Sequence, residues 1–286
     1  MKTVKLISFV FVLFNLTPIS RTLELAGQIK LVNLNLRYNN PNDGENAWPI
    51  RKSTTISWLL AQHADIYLFQ EVLHDQLIHL DSALSNCDVY GIGREDGKTK
   101  GEFSPIYFNR DRFHLVSGKT IWLSPTPTLP SKGWDAACER IFTLVLLVDQ
   151  VSKDTLAIGN THWDHVGIHA RNNSAEIILN ELQQLNAHIP ILLGGDFNCS
   201  ISDSALQKIH GRHTPAGNQE LWSTPSYHGF GTSNSEACID FVFYNNRWKN
   251  ISFHTTTFFD QGKKETKKYI SDHNGFVFEF EPRIFE

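Results

Sequence analysis

The stretch Ile189-Pro190-Ile191-Leu192-Leu193-Gly194-Gly195-Asp196-Phe197-Asn198 decides how this chain folds, because a short apolar run passes directly into a polar cluster. An apolar run of this length predicts a buried β-strand. The residues before it place apolar side chains at helical spacing: Ala175, Ile178, Leu179, Leu182 and Leu185. We therefore expect a helix that leads into the strand, with Asp196 and Asn198 at the strand end, on the rim of a sheet.

The same layout occurs earlier in the chain. Pro49 is typical of the first turn of a helix. The inward-facing residues of that helix are predicted to be Ile56, Leu59 and Leu60. Residues 65–69 then predict a strand that ends at Gln70-Glu71. The repetition of helix, strand and polar cluster predicts two related halves.

The rest of the chain is rich in strands. Further strand-like stretches are residues 30–37, 105–108, 113–123, 141–148, 155–158, 239–244 and 276–280. In the first of these, Val32, Leu34 and Leu36 share one face and Asn35 lies on the other. Many strands with few helices predict an α/β sandwich, in which two sheets carry helices on their outer faces. At 286 residues and 41% hydrophobic content the chain suits one globular domain, predicted over residues 28–282.

The first 22 residues resemble a secretory signal peptide. Lys2 and Lys5 precede a short apolar stretch, and Thr17, Pro18 and Ser20 follow it. We expect export of the protein, with an uncleaved N-terminal membrane anchor as the alternative. Four cysteines without metal-binding spacing (Cys87, Cys138, Cys199 and Cys238) leave three disulfide pairings open, and free, packed thiols are favoured.

The charge of the chain argues against non-specific duplex DNA binding. The net charge is −4, and removal of residues 1–20, which contain Lys2 and Lys5 and no acidic residue, makes it −6. A net-acidic protein is expected to act on a phosphorylated small molecule, a lipid head group or a single-stranded nucleic acid. The one basic cluster is Lys263, Lys264, Lys267 and Lys268, which either guides an anionic substrate or forms a solvated loop.

Four polar clusters at strand ends carry the chemistry: Gln70-Glu71, Asn160-Thr161-His162, Gly195-Asp196-Phe197-Asn198 and Ser271-Asp272-His273. Carboxylates suit Mg²⁺, which takes few protein ligands, and Glu71 and Asp272 are the candidates. Asp196 is predicted to activate a water, with Asn198 and Asn35 as neutral amides. The imidazoles of His162 and His273 can donate to developing negative charge. The set predicts metal-assisted phosphoester hydrolysis.

Asp240 lies in an otherwise apolar strand, Ile239-Asp240-Phe241-Val242-Phe243. A buried carboxylate without a partner would be costly, so a partner is expected. His273 is the predicted one, because a carboxylate that accepts an imidazole N–H fixes the tautomer of the ring and raises its basicity.

These motifs together resemble the endonuclease/exonuclease/phosphatase superfamily, which includes DNase I, abasic-site endonucleases, neutral sphingomyelinases and inositol-polyphosphate phosphatases. Asn40-Pro41-Asn42-Asp43-Gly44 and Gly101-Glu102-Phe103-Ser104-Pro105 are similar to a bacterial, mostly uncharacterised branch. The resemblance implies a four-layer, DNase I-like sandwich of two mostly antiparallel sheets. It also implies phosphoester cleavage with Mg²⁺ or Mn²⁺ on Glu71, Asp272 and Asn35, and a water on Asp196.

The resemblance extends to the pocket mouth, where it implies substrate contacts by Glu102, Asp135, Arg140 and His228. Arg140 is the predicted phosphate clamp, with a surface ion pair as its alternative role. Arg37 departs from members that carry a carboxylate two residues after the first Asn, so it joins the candidate substrate-binding residues instead.

Two other functions compete with phosphoester hydrolysis. The run Asn160-Thr161-His162-Trp163-Asp164-His165 approximates the histidine-rich run of metallo-β-lactamase-like zinc hydrolases, although Asn160 replaces the first histidine. A non-catalytic binding module on the same sandwich is the second alternative. Retention of every pocket carboxylate favours catalysis over that module.

Overall fold

The computed structural model describes residues 27–259 and 268–283, and in them the strands predicted from the sequence assemble into two large sheets. In this part of the chain the first sheet has six strands in the order β11-β14-β1-β2-β4-β3. Their bounds are β1 Ile29–Asn35, β2 Ile66–Gln70, β3 Cys87–Tyr90, β4 Ile106–Asn109, β11 Trp248–Thr256 and β14 Gly275–Pro282. The predicted leader, residues 1–22, and Lys263, Lys264 and Lys267 lie outside the described residues.

The second sheet, within the same described residues, has six strands in the order β5-β6-β7-β8-β10-β9. Their bounds are β5 Phe113–Trp122, β6 Ile141–Asp149, β7 Thr155–His162, β8 Ile191–Asp196, β9 Thr214–Pro215 and β10 Asp240–Tyr244. A short antiparallel pair of strands, β12 (Phe258–Phe259) and β13 (Lys268–Tyr269), forms a separate two-stranded sheet.

Helices cover the outer faces of the sheets. The α-helices of the described chain are α1 Trp48–Gln62, α2 His74–Ala83, α3 Ile168–Gln183, α4 Ser204–His210 and α5 Gln219–Ser223, with 3-10 turns at Pro41–Asn46 and Gly229–Gly231. The result is the predicted four-layer α/β sandwich of mostly antiparallel sheets. Over the described residues, no helix has the length and apolar character that a membrane span requires.

The two sheets repeat one arrangement, which agrees with the expectation of two related halves. In the first sheet β1 runs parallel to β2, with α1 as the crossover, and β14 and β4 flank this pair antiparallel. In the second sheet β7 runs parallel to β8, with α3 as the crossover, and β6 and β10 flank it antiparallel. Because parallel strands end at the same edge of a sheet, the C-terminal ends of β1 and β2 lie together, and so do those of β7 and β8.

Apolar side chains fill the interface between the sheets and the space under the helices. Leu31, Leu68, Leu193 and Val242 belong to the layer between the sheets. Val32, Leu34 and Leu36 pack instead against α1, with Trp48, Trp58 and Leu59. Asn35 therefore lies on the opposite face from this layer, as predicted, and is fully buried.

One helix prediction was wrong. Leu60 of α1 is 45% exposed, whereas Arg51, Thr55, Trp58 and Leu59 form the buried face. These buried positions recur every three to four residues along the helix. Leu60 follows Leu59 by one residue, so its side chain points away from the buried face. The four cysteines are free thiols, as favoured from the sequence, and all except Cys138 are buried.

Candidate active site

The register of the strands brings the polar clusters to one rim. Asn35 at the end of β1 pairs with Gln70 at the end of β2. On the second sheet Asp196 stands beside His162 and also opposite Asp240. Because the sheets pack face to face, both sets of strand ends border the same pocket.

The chain turns sharply as it leaves these strands. Arg37, Glu71 and Asn198 have positive φ angles of 59°, 59° and 50°. Left-handed backbone costs about 1 kcal/mol or more for a non-glycine residue. Such strain persists where the surroundings fix it, and here it turns the side chains into the pocket.

Asp196 is the centre of the site. Its Oδ2 accepts a hydrogen bond from Asn35 Nδ2 at 2.9 Å, and its Oδ1 accepts the Asn198 N–H at 2.9 Å. The same Oδ2 lies 3.6 Å from His162 Nε2 and 3.8 Å from His273 Nε2. Burial, followed by the charge of Asp240, raises the pKa of Asp196 to about 7. A carboxylate with this pKa is suited to accept a proton near neutral pH.

Asp240 and His273 form the predicted dyad. His273 Nδ1 lies 2.8 Å from Asp240 Oδ2, and both side chains are buried. Burial alone would lower the pKa of His273, but the charge and hydrogen bond of Asp240, helped by Asp196 and Asp272, raise it to about 10. His273 therefore carries a positive charge at neutral pH.

His162 has the opposite character. Burial, followed by the positive charges of Arg140 and Arg94, lowers the pKa of His162 well below its usual value, so its ring is neutral. Its Nδ1 faces Glu102 Oε2 at 3.7 Å. Both terminal nitrogens of Arg94 donate hydrogen bonds to the Glu102 carboxylate, at 2.6 and 2.9 Å. Two imidazoles with different charges thus flank Asp196, a pattern that separates acid and base roles.

Glu71 lies on the other side of Asn35. Its Oε1 accepts from Asn35 Nδ2 at 3.1 Å and its Oε2 accepts the Tyr38 N–H at 3.2 Å. The amide oxygen of Asn35 accepts the Arg37 N–H at 3.0 Å. In the structure the Asn35 amide nitrogen bridges Glu71 and Asp196. Its role as a metal ligand remains a prediction.

Asp272 lies deeper than Glu71. It is 4% exposed, and burial raises its pKa, with the charge of Glu71 acting in the same direction. Its Oδ2 lies 3.6 Å from Arg37 Nε. Arg37, predicted to contact substrate, is also held by Asp43 through two hydrogen bonds of 2.9 Å.

Two further predicted residues, Arg140 and His228, have contacts of their own in the fold. Arg140 is buried, with Nε 3.2 Å from Asp164 Oδ2, and one terminal nitrogen has no partner in the described structure. His228 donates its backbone N–H to the Asp272 carbonyl and stacks its ring on Tyr269. Burial lowers the pKa of His228 to about 4. Both ring nitrogens of His228 lack partners among the described residues.

Asp135 has a structural contact that the sequence did not indicate. Its carboxylate accepts the N–H groups of His169 and Ala170 in the first turn of α3, at 3.1 and 2.7 Å. This contact caps the start of the helix, so it gives Asp135 a structural role that needs no substrate. Its predicted place in substrate binding remains a prediction.

Sequence reasoning missed Arg94 and Arg51. Arg94 comes from a glycine-rich loop without periodicity, so nothing marked it as the partner of Glu102. Arg51 is a helical residue that is 2% exposed and donates to the carbonyls of Arg37 and Ile270. A charged residue on the apolar face of a predicted helix was the available signal.

Comparisons with known proteins agree with this geometry. The model of the Endonuclease/Exonuclease/phosphatase family matches residues 32–273. The chain belongs to this family. No curated protein matches the chain.

Solved structures share the fold of this family member. A Bacteroides vulgatus endonuclease/exonuclease/phosphatase is 29% identical, with a TM-score of 0.82, covering 90% of this chain and 99% of that one. A mannosyl-6-phosphatase of Bacteroides thetaiotaomicron is 27% identical, with a TM-score of 0.80, covering 88% and 99%. The human Nocturnin catalytic domain, at 19% identity and a TM-score of 0.70 over 90% and 94%, shows the fold alone.

The zinc-hydrolase alternative is wrong. Asn160 donates to the carbonyls of Phe69 and Pro105 in the first sheet, and Asp164 accepts the N–H groups of Val166 and Gly167. These contacts give the Asn160–His165 run a structural role in an endonuclease/exonuclease/phosphatase fold. Among described residues, the acidic and histidine groups close enough to share a metal are Asp196, Asp240 and His273.

Proposed function

We propose that the protein is a divalent-cation-dependent hydrolase of phosphoester bonds, with Asp196 as the base that activates water. The observation that carries the proposal is the environment of Asp196 Oδ2, which Asn35 Nδ2 holds at 2.9 Å while His162 and His273 flank it at 3.6 and 3.8 Å. Both separations exceed a hydrogen bond, so the two imidazole nitrogens converge on Asp196, and one water or phosphoryl oxygen beside them could contact all three groups.

The donor set fits Mg²⁺ or Mn²⁺ at Glu71. Both cations prefer oxygen, and Mg²⁺ is usually bound through one or two carboxylates. Glu71 is half-buried, and Asp272 is close enough for the charge of Glu71 to raise its pKa. The cluster of Asp196, Asp240 and His273 suits a metal less well, because His273 Nδ1 is already bonded to Asp240. A bound Mg²⁺ would offset charge on the phosphoryl oxygens and the leaving group.

The side chains supply the other steps. Asn35 orients Asp196, which accepts a proton from the attacking water because its pKa of about 7 permits this at neutral pH. The charged His273, fixed by Asp240, stabilises negative charge as it develops on the phosphoryl group. The neutral His162 presents Nε2 to the same space. Asn198 fixes the turn after β8 by donating to the Trp163 carbonyl at 2.9 Å.

A small phosphorylated molecule is the proposed substrate class, ahead of a lipid head group or single-stranded nucleic acid. The net charge of −4 disfavours polyanions, and the mannosyl-6-phosphatase is among the similar structures. Arg140, Arg37, Glu102 and His228 are the proposed contacts to this substrate. We further propose export, which N-terminal sequencing of secreted protein would test by finding a mature end near residue 22.

A substrate screen tests the function. Purified protein is offered sugar phosphates, bis-p-nitrophenyl phosphate, phospholipid head-group esters and single-stranded oligonucleotides, with Mg²⁺, with Mn²⁺ and with EDTA. We expect EDTA-sensitive phosphate release from a sugar phosphate by the wild type and none by Asp196→Asn. Inactivity on every ester would favour the non-catalytic binding module, and EDTA-resistant activity would contradict the metal requirement.

A further inference from the structure

Arg37 is a positively charged side chain at the place where a divalent cation is proposed to bind. It follows Asn35 by two residues and lies beside Asp272, one of the two carboxylates predicted to hold that cation. A guanidinium repels a divalent ion, so its position affects where an ion can bind.

The backbone of Arg37 is fixed from several sides. Its φ angle is 59°, in the left-handed region that non-glycine residues rarely adopt. Its N–H donates to Asn35 Oδ1 at 3.0 Å. Its carbonyl accepts from Arg51 at 2.7 Å and from Gln76 at 2.9 Å. Three hydrogen bonds and the left-handed φ angle thus fix the backbone of Arg37, and the backbone sets the direction of its side chain.

The guanidinium of Arg37 lies among three carboxylates. Nε and one terminal nitrogen each lie 2.9 Å from Asp43, and Nε lies 3.6 Å from Asp272 Oδ2. Arg37 donates both hydrogen bonds to the Asp43 carboxylate, and an arginine guanidinium stays protonated at physiological pH. The charge on this side of the site is therefore permanent.

We propose that Arg37 is a fixed cation that holds Asp272 and limits the site to one divalent ion, bound on the Glu71 side. The inference rests on the proposed metal dependence and adds to it the number of ions. A second ion seated on Asp272 would have to approach a tethered positive charge a few ångströms away, and it would meet a carboxylate that Arg37 already neutralises. Within the described structure Glu71 forms no hydrogen bond or ion pair with the guanidinium, and it accepts hydrogen bonds from Asn35 and Tyr38.

Mn²⁺ binding tests this without turnover. The stoichiometry and affinity of Mn²⁺ are measured by electron paramagnetic resonance of the free ion and by calorimetry. Wild-type protein is expected to bind one ion per chain. Because Arg37→Gln also frees Asp43, the decisive variant is the double change Arg37→Gln with Asp43→Asn, which removes one charge of each sign. We expect it to bind a second ion, or the first at least about tenfold more tightly.

Two controls separate the causes. Arg110→Gln removes an exposed arginine that pairs with Asp88 at 3.0 Å, and it should leave Mn²⁺ binding unchanged. Arg37→Lys retains the positive charge but cannot donate two parallel hydrogen bonds to Asp43. This variant should still bind one ion. Circular dichroism and thermal unfolding establish that each variant is folded.

The outcomes are distinct. Two ions on the wild type, or a double variant that binds Mn²⁺ like the wild type, would overturn the inference and leave the proposed hydrolase standing. Tighter binding in Arg37→Gln but not in the double variant would show that the freed Asp43 attracts the ion, and this outcome also overturns the inference. No Mn²⁺ on any variant would remove the metal from the proposed function and this inference with it.

Discussion

Replacing Asp240 by asparagine tests how the dyad sets the charge of His273. Asp240 is 2% exposed and its Oδ2 lies 2.8 Å from His273 Nδ1. Asparagine has nearly the same shape and retains an oxygen that can accept from Nδ1. The substitution therefore removes a negative charge while keeping the fold and the tautomer of the ring.

The magnitude follows from the pKa of His273. Its value of about 10, against an ordinary 6.5, corresponds to about 5 kcal/mol in favour of the charged ring. Burial opposes this charge, and Asp240 supplies the largest opposing contribution, ahead of Asp196 and Asp272. Asp240→Asn should lower the pKa of His273 by at least about two pH units, which is about 3 kcal/mol. Catalytic efficiency at neutral pH should fall about 10²-fold or more.

The assay is an NMR titration of the His273 Cε1–H signal in metal-free protein, assigned with His273→Gln. The raised pKa means that His273 stabilises the fold fully below pH 6.5 and that this contribution is lost as the pH rises through about 10. In Asp240→Asn the pKa of His273 is lower, so its contribution to stability should begin to disappear at a lower pH. Asp149→Asn is the matched control, since Asp149 is also 2% exposed and pairs with Arg112 at 3.0 Å. An unmoved His273 in Asp240→Asn, or equal movement in both variants, refutes the reasoning.

Four further changes have defined outcomes. Asp196→Asn should reduce turnover about 10³-fold or more with little change in thermal unfolding, and full activity in the screen would remove Asp196 as the base. Glu71→Gln should raise the Mg²⁺ concentration needed for half-maximal activity, and an unchanged Mg²⁺ titration would place the ion elsewhere. Burial lowers the pKa of His213 to about 4, so stability should fall by about 3 kcal/mol as the pH drops from 6.5 to 4; urea unfolding of His213→Leu should show a shallower acid dependence, and an identical slope would contradict this. Gly195→Ala would place a Cβ 2.1 Å from the Thr161 carbonyl oxygen and should cost about 3 kcal/mol in chemical denaturation, whereas Gly211→Ala, whose nearest atom is 3.4 Å away, should cost far less; equal effects would show that the strands yield.

The sequence predicted the parts of the site that depend on single strands. Short apolar runs placed Glu71 and Asp196 at strand ends, and the cost of a buried carboxylate led to His273 as the partner of Asp240. Contacts made within irregular loops, or between segments far apart in the sequence, were out of reach. Arg94 meets Glu102 through a loop without periodicity, and Asp135 accepts from a helix 34 residues further along the chain. The orientation of the Asn35 amide also follows from its three-dimensional neighbours, so no local signal in the sequence indicated that its nitrogen bridges Glu71 and Asp196.

Beneath the rim, three amides fix the two sheets relative to each other. Asn33, Gln70 and Asn160 are fully buried between the sheets. Gln70 Nε2 donates to both Asn33 and Asn160, at 3.0 and 2.7 Å, and Asn33 Nδ2 donates to the Gly195 carbonyl at 3.3 Å.

An apolar layer of the same volume would avoid the desolvation of these amides, and Gln70 Oε1 lacks a partner in the described structure. Apolar contacts, however, tolerate small displacements between sheets, whereas hydrogen bonds weaken steeply with distance and angle. The bond that joins the halves at the centre of the site, from Asn35 Nδ2 to Asp196 Oδ2, spans only 2.9 Å. A displacement of about 1 Å would break it. The buried amides therefore lower the stability of the fold but fix the two sheets at the spacing that the hydrogen bond from Asn35 to Asp196 requires.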